Sequence, residues 1–238
     1  MKPRHVFDPY EGRDPREVPA YSVAEAAHYL TVPENTVRSW VLGRSFPAKS
    51  GRRRSSPLVK PAEPRSNSLS FVNLLELHVL AAIRRHHGVE MSRVRTAIRH
   101  LERQFNSDHP LVDQEMLTDG TDLFAEQLGA LVNLSREGQL AIRETLDAHL
   151  QRIERDAKGL AVRLYPFTRT ASTAAPRFVV IDPRMAFGRP VITGSRIPTA
   201  EVFERFKAGD SLETLVAEYA RPTEELQEAI RYEAERAA

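Results

Sequence analysis

The sequence predicts an α+β fold, mostly helical, arranged in three parts along 238 residues. Three observations carry this reading. Residues 18–106 show two short helical periods, a basic proline-rich stretch and two longer apolar helical periods. Residues 107–167 show extended runs around an Asp-Gly pair and then one long helical period, a small α+β unit. Beyond a small, polar, Pro-terminated stretch at 168–176, expected to be a linker, residues 177–238 read as a β-hairpin followed by three helices.

The first part opens with "YSVAEAAHYLTVPENTVRSWVLGR". Ser22 followed by Glu25 is a capping box, and Val23, Ala26, Ala27 and Leu30 then form one apolar stripe. Thr31 and Val32 break the helix. Pro33 suits a new helix start, and Val37, Trp40 and Val41 form the buried side of a second helix. Asn35, Thr36, Arg38 and Ser39 are left on its outer face. Two short helices around a tight turn make a helix-turn-helix pattern, although any helical hairpin gives the same apolar periods.

The next stretch, "FPAKSGRRRSSPLVKPAEPRSNSLS", is too polar for a core element and reads as a β-wing or an extended arm. "FVNLLELHVLAAIRRHHG" is apolar nearly all round, which predicts a buried helix or a subunit contact. Ser92 is read as the cap of a further helix with Val94, Ala97, Ile98, Leu101 and Phe105 on one stripe. Charge adds a functional hint. The net charge is +2, yet Arg38 to Arg65 holds eight Lys/Arg against the single Glu63, a local net of +7. Such concentration is the footprint of a nucleic-acid contact; a solvated basic loop is the bland alternative.

"YSVAEAA", "NTVRSW" and the paired helices after the wing resemble the MerR-type winged-helix DNA-binding domain. The resemblance implies that the Arg38-bearing helix enters the major groove, with Asn35, Thr36 and Ser39 beside it, while the wing touches phosphates. A bidentate Arg38–guanine pair discriminates by about 1–3 kcal/mol. Arg44, Lys49, Arg52, Arg53, Arg54 and Lys60 supply sequence-independent affinity that weakens with salt. The chain departs from the family in its turn, Thr31-Val32-Pro33, where Gly-Val-Ser/Thr is usual. With no cysteine, the family's thiolate metal sensing is not expected here.

In the middle part, Asp119-Gly120 between "LVDQEML" and "DLFAEQ" is read as a two-residue hairpin, with "LGALVNL" continuing the sheet. Ser135 opens a helix bearing Ile142, Leu146, Leu150 and Ile153, and "LAVRLYPF" is a strand. Asp113, Glu115, Asp119 and Asp122 flank the turn and are read as solvent-facing rather than metal-binding. The histidines His78, His86, His87, His100, His109 and His149 contain no H-x-x-x-H pair, so no metal and no cofactor are expected. No Ser/His/Asp arrangement emerges, and the chain is not expected to be an enzyme. Lacking a run of eighteen apolar residues and a secretory signal, it is expected to be cytoplasmic, with no membrane partner.

The last part contains "GRPVITGSRIPT". Gly188 and Gly194 are six apart with no following Lys, which does not fit a phosphate loop. A hairpin explains each letter: the glycines supply turn conformations, Val191, Ile192 and Ile197 are buried, and Pro198 starts the next helix. Helices are expected at 199–207, 211–219 and 223–235, with Ser211 and Thr223 as caps. "IDPRMAFGRPVITGSRIPT" and the three helical stretches after it are similar to a small bacterial domain marked by G-x-P-x-I-x-G-T-R-I-P, with Ser195 in place of the usual Thr. That family is paired with toxins of the PIN-like nuclease type, and the whole combination resembles VapB-type antitoxins that also repress their own operon.

The resemblance implies a type II antitoxin that binds and neutralises a PIN-like ribonuclease toxin and represses its operon by binding operator DNA. Its partners are then the cognate toxin and the operator, in a homodimer or a toxin–antitoxin hetero-oligomer. Gly188, Arg189, Pro190, Gly194 and Arg196 are the residues expected to bind toxin or to structure the hairpin. The three C-terminal helices are themselves HTH-like. From Thr199 to Ala238, however, ten acidic residues face five basic ones, which favours a protein contact over DNA. The alternative is a MerR-like regulator that responds to a small molecule and has no toxin.

Overall fold

The structure, a computed structural model, describes residues 10–48, 51–84, 89–113, 115–132, 134–169 and 175–235. It is a helical α+β fold with three small antiparallel sheets among the described residues. Helix α1 (Val23–Tyr29) begins with the reciprocal cap. The Ser22 Oγ accepts the Glu25 N–H at 3.1 Å, and the Glu25 carboxylate accepts the Ser22 N–H at 2.8 Å. Thr31, at φ 52, turns the chain into α2 (Glu34–Leu42), which starts after Pro33. The basic stretch folds as a hairpin of β1 (Ser45–Ala48) and β2 (Gly51–Arg54), with Phe46 opposite Arg53 and Pro47 opposite Arg52.

The return from that hairpin closes the end of α2: the Leu58 N–H donates to the Trp40 carbonyl at 2.7 Å. Gly43 makes this junction possible, because at φ +73 an added Cβ would lie 2.0 Å from the Ser55 carbonyl oxygen. Helix α3 (Phe71–Arg84) is buried nearly all round. Helix α4 (Met91–Phe105) buries Val94, Ala97, Ile98 and Leu101, and it starts at Glu90 rather than at Ser92. Ser92 lies inside the first turn, where its hydroxyl bonds Glu90.

The Asp119-Gly120 hairpin does not form. Met116–Gly120 is a π-helical turn that runs into α5 (Thr121–Val132), so Leu128–Val132 of "LGALVNL" belongs to that helix and not to a sheet. Gly120 serves close packing here: a Cβ would meet the Met116 sulfur at 2.9 Å and the Phe105 ring at 3.2 Å. Burying Phe124, Ala125 and Leu128 on one helical face outweighs the local turn preference of the dipeptide. Ser135 caps α6 (Arg136–Leu150), and Ile153 lies beyond it. The hairpin of this region is β3 (Ile153–Arg155) with β4 (Ala161–Leu164), turning at Gly159 with φ +78.

Strand β5 (Val179–Val180) pairs with β6 (Val191–Ile192), and an isolated bridge between Leu164 and Ile181 joins this pair to β4. Three helices complete the chain: α7 (Thr199–Lys207), α8 (Leu212–Tyr219) capped by Ser211, and α9 (Thr223–Ala234). The N-cap of α9 is Pro222, so Thr223 sits within its first turn instead of capping it. A large core runs from Tyr21 through the helices and β4 to Ile181. Ile192, Val202, Leu215, Leu226 and Ala229 form a second, smaller core.

Candidate functional site

Two surfaces concentrate the chemistry. The first is built on α2 and the β1–β2 hairpin. Burial of Val37, Trp40 and Val41 fixes the rotation of α2, so Asn35 and Arg38 are exposed while Thr36 and Ser39 are half-buried. The Ser39 hydroxyl donates back to the Thr36 carbonyl at 2.8 Å. Arg38 forms an exposed i,i+4 ion pair with Glu34, a contact of a few tenths of a kcal/mol at most. Arg44, Arg52, Arg53 and Arg54 are exposed, and strand alternation sends Arg52 and Arg54 to one face and Arg53 to the other. Lys60 is exposed, 3.6 Å from Asp108. Lys49 lies outside the described residues.

Helix α4 contributes to this surface in a way the apolar periodicity did not reveal. Arg95 Nε donates to the Ser56 carbonyl at 3.0 Å, and Arg99 Nη2 donates to the Ser56 hydroxyl at 2.8 Å. These arginines brace the base of the hairpin and extend its positive surface, with Arg93 and Arg103 also exposed. The i,i+4 spacing of Arg95 and Arg99 was the available signal, masked by the stripe of apolar residues between them.

The second surface is the loop and hairpin around residues 182–198. Gly188 (φ +77) and Gly194 (φ +74) both have left-handed backbone conformations. The Pro190 carbonyl accepts the Thr199 N–H at 3.1 Å, and the Ile192 N–H reaches the Ile197 carbonyl at 3.0 Å, which closes the turn. Arg189 and Arg196 are exposed, and among the described residues neither forms an ion pair. Pro190 and Gly188 are buried.

The structure also joins the two ends of the chain. Gly188 packs on Tyr21, so closely that a Cβ would lie 2.2 Å from the tyrosine oxygen. His28 Nε2 on α1 is 2.8 Å from a Glu233 carboxylate oxygen on α9, and the same carboxylate accepts the Thr199 hydroxyl. The Tyr232 hydroxyl donates to the Tyr29 carbonyl at 2.9 Å. An open groove of about 550 Å³ lies along this seam, lined by Tyr29, Arg189, Pro190 and Glu201 among others.

Buried side chains hold the segment between the two cores. Arg152, 5% exposed, donates to the carbonyls of Tyr165, Pro166, Ala175 and Pro176 at 2.7–3.1 Å and stacks over Phe167. Burial draws its pKa down to about 10. Buried Glu228 receives Thr168, Arg169 and Arg231. Among the described residues no three His, Cys, Asp or Glu side chains converge as metal ligands. No helix among them is long and apolar enough to cross a membrane.

Residues 19–98 match the family described as "Putative DNA-binding HTH domain", and residues 179–232 match "Protein of unknown function (DUF433)". The Mycobacterium tuberculosis protein named "Putative antitoxin VapB45" is 30% identical over 233 residues, spanning 90% of this chain and 93% of the relative. "Uncharacterized protein Rv2308" of the same organism is 27% identical, spanning 91% of this chain and 90% of the relative. The crystal structure of Rv2018 from Mycobacterium tuberculosis has the same fold. Its TM-score is 0.63 at 26% identity, covering 90% of this chain and 98% of that one.

Proposed function

The chain belongs to the family of the mycobacterial protein named "Putative antitoxin VapB45", and from that premise we propose that it is a type II antitoxin. It binds and neutralises a PIN-like ribonuclease toxin, and it represses its own operon as a dimer on operator DNA in the cytoplasm. The observation that carries the DNA half of this reading is the exposed arginine run Arg52–Arg54 on the hairpin that follows α2, whose Asn35 and Arg38 are exposed as well.

In this reading α2 enters the major groove in the MerR-like manner. Arg38 exchanges its weak Glu34 pair for a base edge, with Asn35, Thr36 and Ser39 beside it. The hairpin arginines, Arg44 and Lys60 neutralise flanking phosphates, with Lys49 and the bracing residues Arg95 and Arg99 adding to the field. Arg189 and Arg196, which are exposed and form no ion pair among the described residues, are the side chains available to a toxin's acidic metal site.

Two measurements test the proposal with the full chain. Fluorescence anisotropy with the DNA upstream of its gene should show salt-dependent, sequence-specific binding. Co-expression with the adjacent reading frame should yield a complex in which nuclease activity is silent. A chain that binds neither, or that binds DNA only when a small molecule is added, overturns it.

A further inference from the structure

The loop Asp182–Arg189 carries a feature that neither core explains. Ala186 (φ 49), Phe187 (φ 55) and Gly188 (φ 77) are three successive residues with left-handed backbone. Only the glycine adopts that conformation without cost; a bulky residue there is strained. Strain commonly accompanies burial of a side chain, yet Phe187 is 74% exposed, the most exposed large apolar side chain among the described residues. The backbone spends free energy to hold an aromatic ring in water.

The loop is also rigidly held. The Met185 and Gly188 N–H groups donate to the Asp182 and Met185 carbonyls, each at 2.9 Å, and the Arg189 N–H donates to the Ala186 carbonyl at 3.2 Å. At its base, buried Asp182 accepts the Arg184 N–H at 2.9 Å and Arg163 Nε at 3.0 Å. Gly188 is pinned under Tyr21. A ring presented this way loses little freedom on contact, which is the condition that lets one aromatic side chain anchor an interface.

Charge says what kind of partner it fits. Arg184 and Arg189 lie on either side of Phe187 along the loop, both exposed and without an ion pair among the described residues. The C-terminal helices carry a net charge of −5 from Thr199 to Ala238. An acidic partner is attracted at this tip and repelled by the helices beside it, which fixes its orientation as well as its position. We propose that Phe187, flanked by Arg184 and Arg189, is the anchor that seats this chain on an acidic concavity of its nuclease toxin. The proposal rests on the antitoxin reading above and adds the contact residues to it.

The test uses the full chain and the refolded PIN-like nuclease encoded beside its gene, with binding measured by calorimetry. Phe187→Gly removes the ring and relieves the left-handed strain, so the variant should melt no lower than the wild type. Its affinity for the nuclease is expected to fall by about thirtyfold, the effect of losing an anchor residue. Arg184→Glu with Arg189→Glu should weaken binding and flatten its salt dependence, while operator affinity is unchanged in both variants. If the wild type binds the nuclease and Phe187→Gly binds equally well, the anchor is wrong and the antitoxin reading stands. A wild type that binds no nuclease removes both. If Phe187→Gly instead turns a dimer into a monomer by sedimentation equilibrium, the tip joins two copies of this chain and the proposal falls.

Discussion

Glu233, five residues before the last, accepts from His28 of the first helix at 2.8 Å, a contact spanning 205 residues. It is 9% exposed and also receives the Thr199 hydroxyl. One carboxylate therefore ties α1, α7 and α9 together at the seam between the two ends of the chain. Glu233→Ala takes away the acceptor of His28 and leaves the Thr199 hydroxyl only the Pro190 carbonyl at 3.3 Å, and is expected to cost about 1–3 kcal/mol. A drop in melting temperature of several degrees checks it, and Glu233→Gln, which still accepts from Thr199, should fall between the two.

The wing and α2 are expected to fail in different ways. Replacing Arg52, Arg53 and Arg54 together by alanine should weaken DNA binding for every sequence tested. The slope of log affinity against log salt should fall by roughly 2–3, near 0.9 per lost phosphate contact. Arg38→Ala should cost about 1–3 kcal/mol on the cognate site, leave non-cognate binding nearly unchanged and flatten discrimination at one base pair. Anisotropy titrations on a cognate and a scrambled duplex separate the two outcomes.

Tyr21 is 3% exposed, and its hydroxyl has no hydrogen-bond partner among the described residues. Burial raises its pKa strongly, so the group is a neutral phenol at any physiological pH. Tyr21→Phe removes an unsatisfied polar atom and is expected to leave stability unchanged or raise it by up to about 1 kcal/mol. Gly188→Ala should destabilise by more than that, since its Cβ collides with the same oxygen and its φ is +77. Chemical denaturation of the double variant should show partial rescue, as the oxygen removed is the atom struck.

His109 lies 3.3 Å from the buried Glu76 carboxylate, which raises its pKa to about 8 from the ordinary 6.5. A basic group whose folded pKa is raised stabilises fully below its unfolded value and loses that contribution as pH rises through the folded one. Stability is therefore expected to fall between pH about 6.5 and about 9, by about 1 kcal/mol after allowance for the partly exposed ring. His109→Gln should abolish that slope in urea midpoints measured across the range.

Arg152 holds four carbonyls that come from both sides of residues 168–174. Arg152→Met should cost about 3–5 kcal/mol, because four acceptors lose a buried charged donor at once. Arg152→Lys is expected to recover little, since an ammonium cannot fan out to four acceptors as the planar guanidinium does. Limited proteolysis in the 168–176 stretch should accelerate in both variants.

Local signals decide the structure where they agree with each other. The Ser22–Glu25 box, the α2 stripe around Trp40 and the three C-terminal helices each rest on contacts within a few residues, and each forms as the pattern dictates. Asp119-Gly120 misled because a dipeptide preference of about a kcal/mol competed with a helical face burying Phe124 and Leu128. Ser92 and Thr223 misled for a related reason: each lies one or two residues inside its helix, where the chain had already turned.

The sequence by itself determined the paired N-terminal helices, the exposed basic stretch and the glycine turns, because periodicity, charge density and backbone sterics are properties of neighbouring residues. Tertiary structure alone decided that Gly188 lies under Tyr21, that His28 meets Glu233 and that Arg152 clasps the backbone across the 168–174 stretch. It also set the strained, exposed presentation of Phe187. Those partners are far apart along the chain, and no local pattern marks them. They meet only when burial of the two cores brings their elements together and each polar group must then be matched or left unsatisfied.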